Sequence, residues 1–423
     1  MPTDQPPALV TRVPGPRSRE LAARLARVES RNVTCLGPEP PIFWQRASGA
    51  NVWDVDGNRY VDLGAAFGVA NVGHAHPRVV RAVSEQAATL LHGMGDVHPS
   101  PVKVELLEAL AQRFPGGGPA RAVLGSSGSD AVEIALKTAA LATGRFGVVA
   151  FEGGYHGLAI GALDATHRAE FRAPFAARLA NATAFARFGD AADVRRAAAA
   201  CPAPVGAVLV EPIQGRAGER VPPPGFLSAL RSLCDAEGWL LIADEVYTGF
   251  GRTGAWFACQ HEDVRPDLLC VGKGLASGMP ISACVGRAEV MDAWPPSRGE
   301  ALHTQTFLGH PPACAAALAS LSVLEEEKLV ERAAEVGARA LDRLRAAVAG
   351  LPAVAEVRGR GLLLGVECVA SEVARAAVAG LLARGVIALP AGDDGRVIGL
   401  SPPLTIGRDV LDAALDALAE VLR

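Results

Sequence analysis

The chain has 423 residues, enough for two or three domains sharing a large core. Half of them are hydrophobic and the formal net charge is only −4, which excludes a basic nucleic-acid surface and a disordered acidic tail. No uninterrupted apolar stretch reaches membrane-spanning length, and "MPTDQPPALV" lacks the charged and apolar regions of a signal peptide, so a cytoplasmic protein without nucleic-acid or membrane partners is expected.

Along the chain, "VWDVDGNRYVDL" predicts a hairpin turning at Asp56-Gly57; its resemblance to a calcium loop stops at "DVDGN". His74 and His76 of "GHAHP" have no third ligand spaced near them, which favours loop fixing over metal binding. "ARAVLG" then leads into the helical "SDAVEIALKTAALA". The runs "FGVVAFE", "GAVLVEP", "WLLIADE", "DLLCVG" and "ISACVGR" follow, with the helix "PGFLSALRSLCDAEG" among them. Short apolar runs without alternation predict strands buried on both faces, and the helices between them predict crossovers. The fold class expected is α/β, with a large domain over residues 66–315 built on a mostly parallel sheet. Residues 1–65 are expected to pack with a smaller α+β domain over 316–423. That smaller part begins in an Ala/Leu/Glu/Arg-rich helical segment. The hairpin "VAEVRGRGLLLGVE", the helix "SEVARAAVAGLLARG", the strands "VIAL" and "RVIGLSPP" and the helix "GRDVLDAALDALAEVL" follow. The eight cysteines form no C-x-x-C pair; they and Met94 read as core residues of a reduced protein, and no metal site is expected.

Three features carry chemistry. Only four lysines occur (Lys103, Lys137, Lys273, Lys328), and Lys273 sits between two glycines at the end of the apolar run "DLLCVG". An amine there can condense with a carbonyl, as a guanidinium cannot; the plainer reading is a lysine that ends a strand. "LLIADE" places Asp244 at the end of another strand, and strand ends line the ligand crevice of an open parallel sheet. "SSGSDA" offers Ser126, Ser127, Gly128 and Ser129 at a helix N-terminus, either as a phosphate cup or as an N-cap supported by Asp130 and Glu133. Together the amine, the carboxylate and the cup match pyridoxal phosphate, which has an aldehyde, a ring nitrogen and a phosphate. Neither a P-loop nor a dinucleotide-binding glycine motif is present.

The chain also resembles the class III aminotransferases, fold-type I pyridoxal-phosphate enzymes that include ornithine, acetylornithine and 4-aminobutyrate aminotransferases. The resemblance runs from Gly49 to the C-terminus. "VGHAHPRVVRAV", "SSGSDAVEIALKTA", "GYHG", "VEPIQG", "ADEVYTGFGRTG", "PDLLCVGKGLASGMP", "TQTFLGHPPACAAALA" and "RGRGLLLGVE" lie in family order. It implies an enzyme that moves an amino group from a donor to a 2-oxo acid through a Schiff base on Lys273, with Asp244 on the ring nitrogen. By the same resemblance Val246 and Tyr155 flank the ring, and Gly128 and Ser129 hold the phosphate. Thr306 reaches the phosphate of the neighbouring subunit in a homodimer. Ser127, His156 and Glu211 belong to the same cofactor-binding set, His156 by orienting Tyr155. Arg252 of "GFGRTG" reads as structural. The alternative activity on this scaffold is racemisation or epimerisation of an amino acid.

The sequence departs from its family at a Glu–Arg pair that opens to admit a substrate carboxylate. Arg216 stands at the first position ("IQGRAG") and Gly399 at the second ("VIGLSPPL"). Arg216 becomes a candidate for binding a carboxylate itself, the alternative being a surface residue. Tyr247 replaces a glutamine and is placed to hydrogen-bond the cofactor hydroxyl. Asp96 falls in a segment that lines the pocket in relatives, with a solvated surface carboxylate as its other reading.

Overall fold

A computed structural model describes residues 4–34 and 39–423 of the chain, so Cys35 lies outside the described residues. The hairpin strands β1 (Trp44–Ser48), β2 (Asn51–Asp54) and β3 (Arg59–Asp62) open the structure. Gly57 turns β2 into β3 with φ of +88°, a conformation that glycine adopts without steric cost. The neighbouring Asp56 faces backwards instead. Its carboxylate accepts from the Arg17 and Ser18 N–H groups (2.7 and 3.0 Å) and caps the helix Pro16–Val28.

Seven strands make the central sheet: β4 (Ala120–Gly125), β5 (Gly147–Phe151), β6 (Thr183–Ala186), β7 (Val205–Val210), β8 (Leu240–Asp244), β9 (Leu268–Val271) and β10 (Ser282–Arg287). Their order is β4-β10-β9-β8-β7-β5-β6, with β10 antiparallel to both neighbours and the rest parallel. The expected α/β fold with a mostly parallel sheet is therefore what the chain forms. β5, β7 and β9 are buried along their whole length, as their unbroken apolar runs require. The helix Gly128–Thr143 covers one face and stops at Gly144, whose φ of +66° closes the C-terminus.

A second four-stranded sheet contains β11 (Val354–Arg360), β12 (Leu363–Cys368), β14 (Leu389–Ala391) and β15 (Val397–Leu400), in the order β11-β12-β15-β14. The two-residue β13 (Val386–Ile387) leaves it and pairs in parallel with β3, tying the N-terminal hairpin to the C-terminal part. The last helix, Arg408–Val421, buries Leu411, Leu415 and Leu418 along one face, as its apolar spacing predicts. Arg252 is buried and structural. It donates to the carbonyls of Leu362 (3.0 Å) and Pro402 and to Asn71 Oδ1 (3.0 Å), joining the glycine-rich turn after β8 to the smaller sheet.

Two expectations about the core need correction. Met94 is 54% exposed, because its segment runs over the surface, where the His92 ring packs 5.2 Å from that of Phe307. Cys201 is only half-buried; the other six described cysteines are buried and none is paired.

Candidate active site

The carboxyl ends of β5, β7, β8 and β9 open into one crevice. Asp244 ends β8, and its Oδ1 accepts from the Val246 N–H at 3.1 Å while its Oδ2 lies 2.8 Å from His156 Nδ1. Both side chains are buried. Burial opposes charge on His156, but the hydrogen bond and charge of Asp244, with Glu211 beyond, raise its pKa overall. His156 thus serves Asp244; orienting Tyr155 falls to Glu211 instead, whose Oε2 accepts from the Tyr155 N–H at 3.0 Å and Oε1 from Gly215 N–H at 3.2 Å. Burial lifts Glu211 to a pKa of about 7, with the His156 charge pulling it down and Asp244 pushing it up.

Lys273 follows β9 with φ of +37°, in the left-handed region that side-chain-bearing residues rarely occupy. Desolvation lowers its pKa; Asp244 and Glu211 pull it back, and Arg216 pushes it down further. Its Nζ lies 4.3 Å from the centre of the Tyr247 ring. The Tyr247 hydroxyl is engaged with Ser401 Oγ at 3.0 Å, so its ring, rather than its hydroxyl, faces the lysine. Burial pushes that hydroxyl up to a pKa of about 12, with Glu219 adding to the rise.

The cup and the cap turn out to be divided among the serines. Ser127 Oγ accepts from Asp130 N–H at 3.2 Å and is the helix N-cap. Ser129 Oγ accepts from Ala159 N–H at 2.9 Å, and Ser126 Oγ donates to Gln305 at 2.8 Å. The Gly128 and Ser129 N–H groups lie in the first turn, where the helix supplies no acceptor. A Cβ on Gly128 would stand 2.7 Å from Val246 Cγ1, and one on Gly272 3.5 Å from the same atom. Glycine at both places keeps the floor of the crevice open beside Val246.

Arg216 is exposed and makes no ion pair among the described residues. Its guanidinium carbon stacks 4.8 Å from the Tyr155 ring centre and 5.4 Å from that of Phe171. Arg168 holds this segment by donating to the carbonyls of Arg216 (3.1 Å) and Gly392 (2.6 Å). Asp96 and Thr306 are not part of the crevice within one chain. Asp96 is exposed and accepts from Thr304 Oγ1 at 2.7 Å, and Thr306 is exposed on the same loop. His74 pairs with Asp62 at 2.8 Å, and His76 accepts from Arg78 N–H at 3.3 Å to cap the helix Pro77–Thr89. Among the described residues no three His, Cys, Asp or Glu side chains are placed to hold a metal ion.

Two contributors had no clear signal in sequence. Gln305 bonds Ser126 and Asp130 from a distant loop. Glu219, in the polar stretch "GRAGERV", has the look of a surface turn but is 2% exposed and sits against Gly399.

Comparison with known proteins identifies the family. The family model "Aminotransferase class-III" matches residues 36–422. The 4-aminobutyrate aminotransferase of Mycobacterium tuberculosis H37Rv is 41% identical, over 98% of this chain and 97% of that protein. The acetylornithine aminotransferase of Methanopyrus kandleri is 44% identical, over 90% and 95%. The crystal structure of the ornithine aminotransferase from Toxoplasma gondii superposes with a TM-score of 0.87 at 33% identity, covering 96% of this chain and 94% of that one. Another structure of that enzyme carries PLP at partial occupancy in its active site. These relatives are aminotransferases, so the comparison favours amino transfer over racemisation. The chain belongs to the class III aminotransferases and is a pyridoxal-phosphate-dependent enzyme that moves an amino group from a donor to a 2-oxo acid.

Proposed function

We propose that the donor is a primary amine at the end of a carbon chain, that the acceptor is a 2-oxo acid, and that both react at Lys273. The observation that carries this is the pairing of one partly open lysine amine with a buried Asp244–His156 pair on adjacent strands. Relatives named for 4-aminobutyrate and 5-aminovalerate support the donor class.

The residues fit the cofactor. Lys273 would hold its aldehyde, Asp244 its ring nitrogen, and the first-turn N–H groups of Gly128 and Ser129 its phosphate. Val246 and Tyr155 would flank its two faces, and the glycine floor leaves room that a Cβ would fill. When bound, pyridoxal phosphate supplies the carbonyl for the amine and an electron-accepting ring. His156 Nδ1, 2.8 Å from Asp244 Oδ2, holds that carboxyl group in place toward the ring nitrogen's position. The Lys273 amine would take the proton from the donor carbon at Nζ, and desolvation, by lowering its pKa, favours the unprotonated amine that this work needs. Arg216, its guanidinium carbon 4.8 Å from the Tyr155 ring centre, takes the acceptor carboxylate through a charge-assisted contact.

We infer further that the enzyme works in the cytoplasm as a homodimer with shared sites. Support comes from a surface carrying exposed Leu91, Met94, Val97, Leu302 and Phe307 beside Thr306. We also infer domain limits near residues 65 and 315. The test is a panel of ω-amino acids, amines and α-amino acids, each incubated with and without 2-oxoglutarate or pyruvate. Formation of new amino acid in step with donor consumption, only when the 2-oxo acid is present, supports the reading. Loss of optical activity without a 2-oxo acid overturns it.

A further inference from the structure

Glu219 and Arg216 share one turn, in which the N–H groups of Gly218 and Glu219 both donate to the Gly215 carbonyl (2.9 and 3.1 Å). Arg216 points outward onto Tyr155, while Glu219 turns inward with φ of +50° and is buried. Its carboxyl group enters a notch in the smaller sheet. Gly365 of β12 and Gly399 of β15 are direct cross-strand partners. A Cβ on Gly399 would stand 2.7 Å from Glu219 Oε1, and one on Gly365 3.1 Å from Oε2. Two facing glycines therefore make the space that the carboxyl group occupies.

Among the described residues the protein leaves part of that group unsatisfied. Glu219 Oε2 is buried without a hydrogen-bond partner. Arg358 lies across the row from Gly365, but its Nη1 is committed to Glu356 and Glu367 and its Nε to the Gly218 carbonyl, while Nη2 is itself unpartnered. An unpaired polar atom in a buried place costs stability unless something else uses it. The wall also adjoins the reaction centre. Gly215, at the head of the same turn, packs against the Tyr247 ring, which carries Lys273 Nζ on its face. Gly399 is the position at which the family pattern has an arginine for a substrate carboxylate, so a carboxyl group stands on this wall in place of a guanidinium.

We propose that Glu219 is the specificity-determining residue for the far end of the amino donor: it accepts a hydrogen bond from an ammonium, amide or hydroxyl group there and turns away donors that end in a carboxylate. This rests on the reading that Arg216 takes the acceptor carboxylate. The enzyme then seats donor and acceptor with a carboxyl group and a guanidinium fixed on one turn, with no swinging pair.

The experiment compares 1,4-diaminobutane, n-pentylamine and 4-aminobutyrate as donors with 2-oxoglutarate as acceptor, for the wild-type holoenzyme and for E219Q, G399A and R216A. A hydrogen bond to a charged group is worth about tenfold in affinity. Wild type is expected to favour the diamine by about that factor in kcat/KM over both other donors. E219Q should raise KM for the diamine by the same factor, with kcat and the n-pentylamine constants little changed. G399A, which crowds the carboxyl group out of its notch, should erode the same preference and serves if E219Q fails to fold. R216A should raise KM for 2-oxoglutarate alone. A wild-type preference for 4-aminobutyrate, or an unchanged donor ratio in folded E219Q, overturns the role of Glu219. An unchanged acceptor KM in R216A overturns the Arg216 reading and leaves the donor result standing.

Discussion

His156 Nδ1 and Asp244 Oδ2 lie 2.8 Å apart in a site where both side chains are buried. Removing one member of such a pair strands the other's charge, at about 3–5 kcal/mol. H156A is expected to lose stability on that scale and to bind pyridoxal phosphate weakly; H156N should recover part of both. Denaturant midpoints and cofactor titration check this. His156 has a raised folded pKa, so its contribution is complete below the unfolded value and is lost as pH rises through the folded one. The H156A deficit should accordingly shrink in alkaline buffer.

Borohydride reduction of the loaded enzyme, followed by peptide mapping, should place the adduct on Lys273. K273A should show no adduct and no turnover. An adduct on Lys103, Lys137 or Lys328 would overturn the assignment.

Glu211 titrates near 7 in the fold against an ordinary value of 4.5. Between those values the folded protein keeps a proton that the unfolded chain has lost. Stability of the cofactor-free enzyme should therefore fall by about 3 kcal/mol as pH rises through that window. E211Q should flatten the slope while weakening the hold on the Tyr155 and Gly215 N–H groups. Unfolding curves at pH 5 and 7.5 for both proteins give the answer.

G128A puts a methyl group 2.7 Å from Val246 Cγ1. Cofactor affinity should drop by about tenfold or more, as expected of an overpacked contact costing about 1–3 kcal/mol. The double variant G128A/V246A should regain most of it. Failure of the second change to help would mean that Val246 is not the obstacle.

The amino-acid sequence by itself determined the large sheet, because β5, β7 and β9 are unbroken apolar runs that only burial on both faces accommodates. It also placed Lys273, Asp244 and the serine-glycine turn at strand ends, and in the structure they follow β9, end β8 and follow β4. The hairpin turn at Gly57 was legible for a similarly local reason. What only the tertiary structure decided depends on contacts between segments far apart in the chain. His156 reaches Asp244 across 88 positions, so its neighbour Tyr155 was the only partner that sequence suggested. Tyr247 spends its hydroxyl on Ser401, 154 positions away, and offers its ring to Lys273 instead. Glu219 reads as a solvated turn until β12 and β15 pair Gly365 with Gly399 and open a notch for its carboxyl group. Local pattern reports which face an element buries; which distant groups meet there is set by strand order and register.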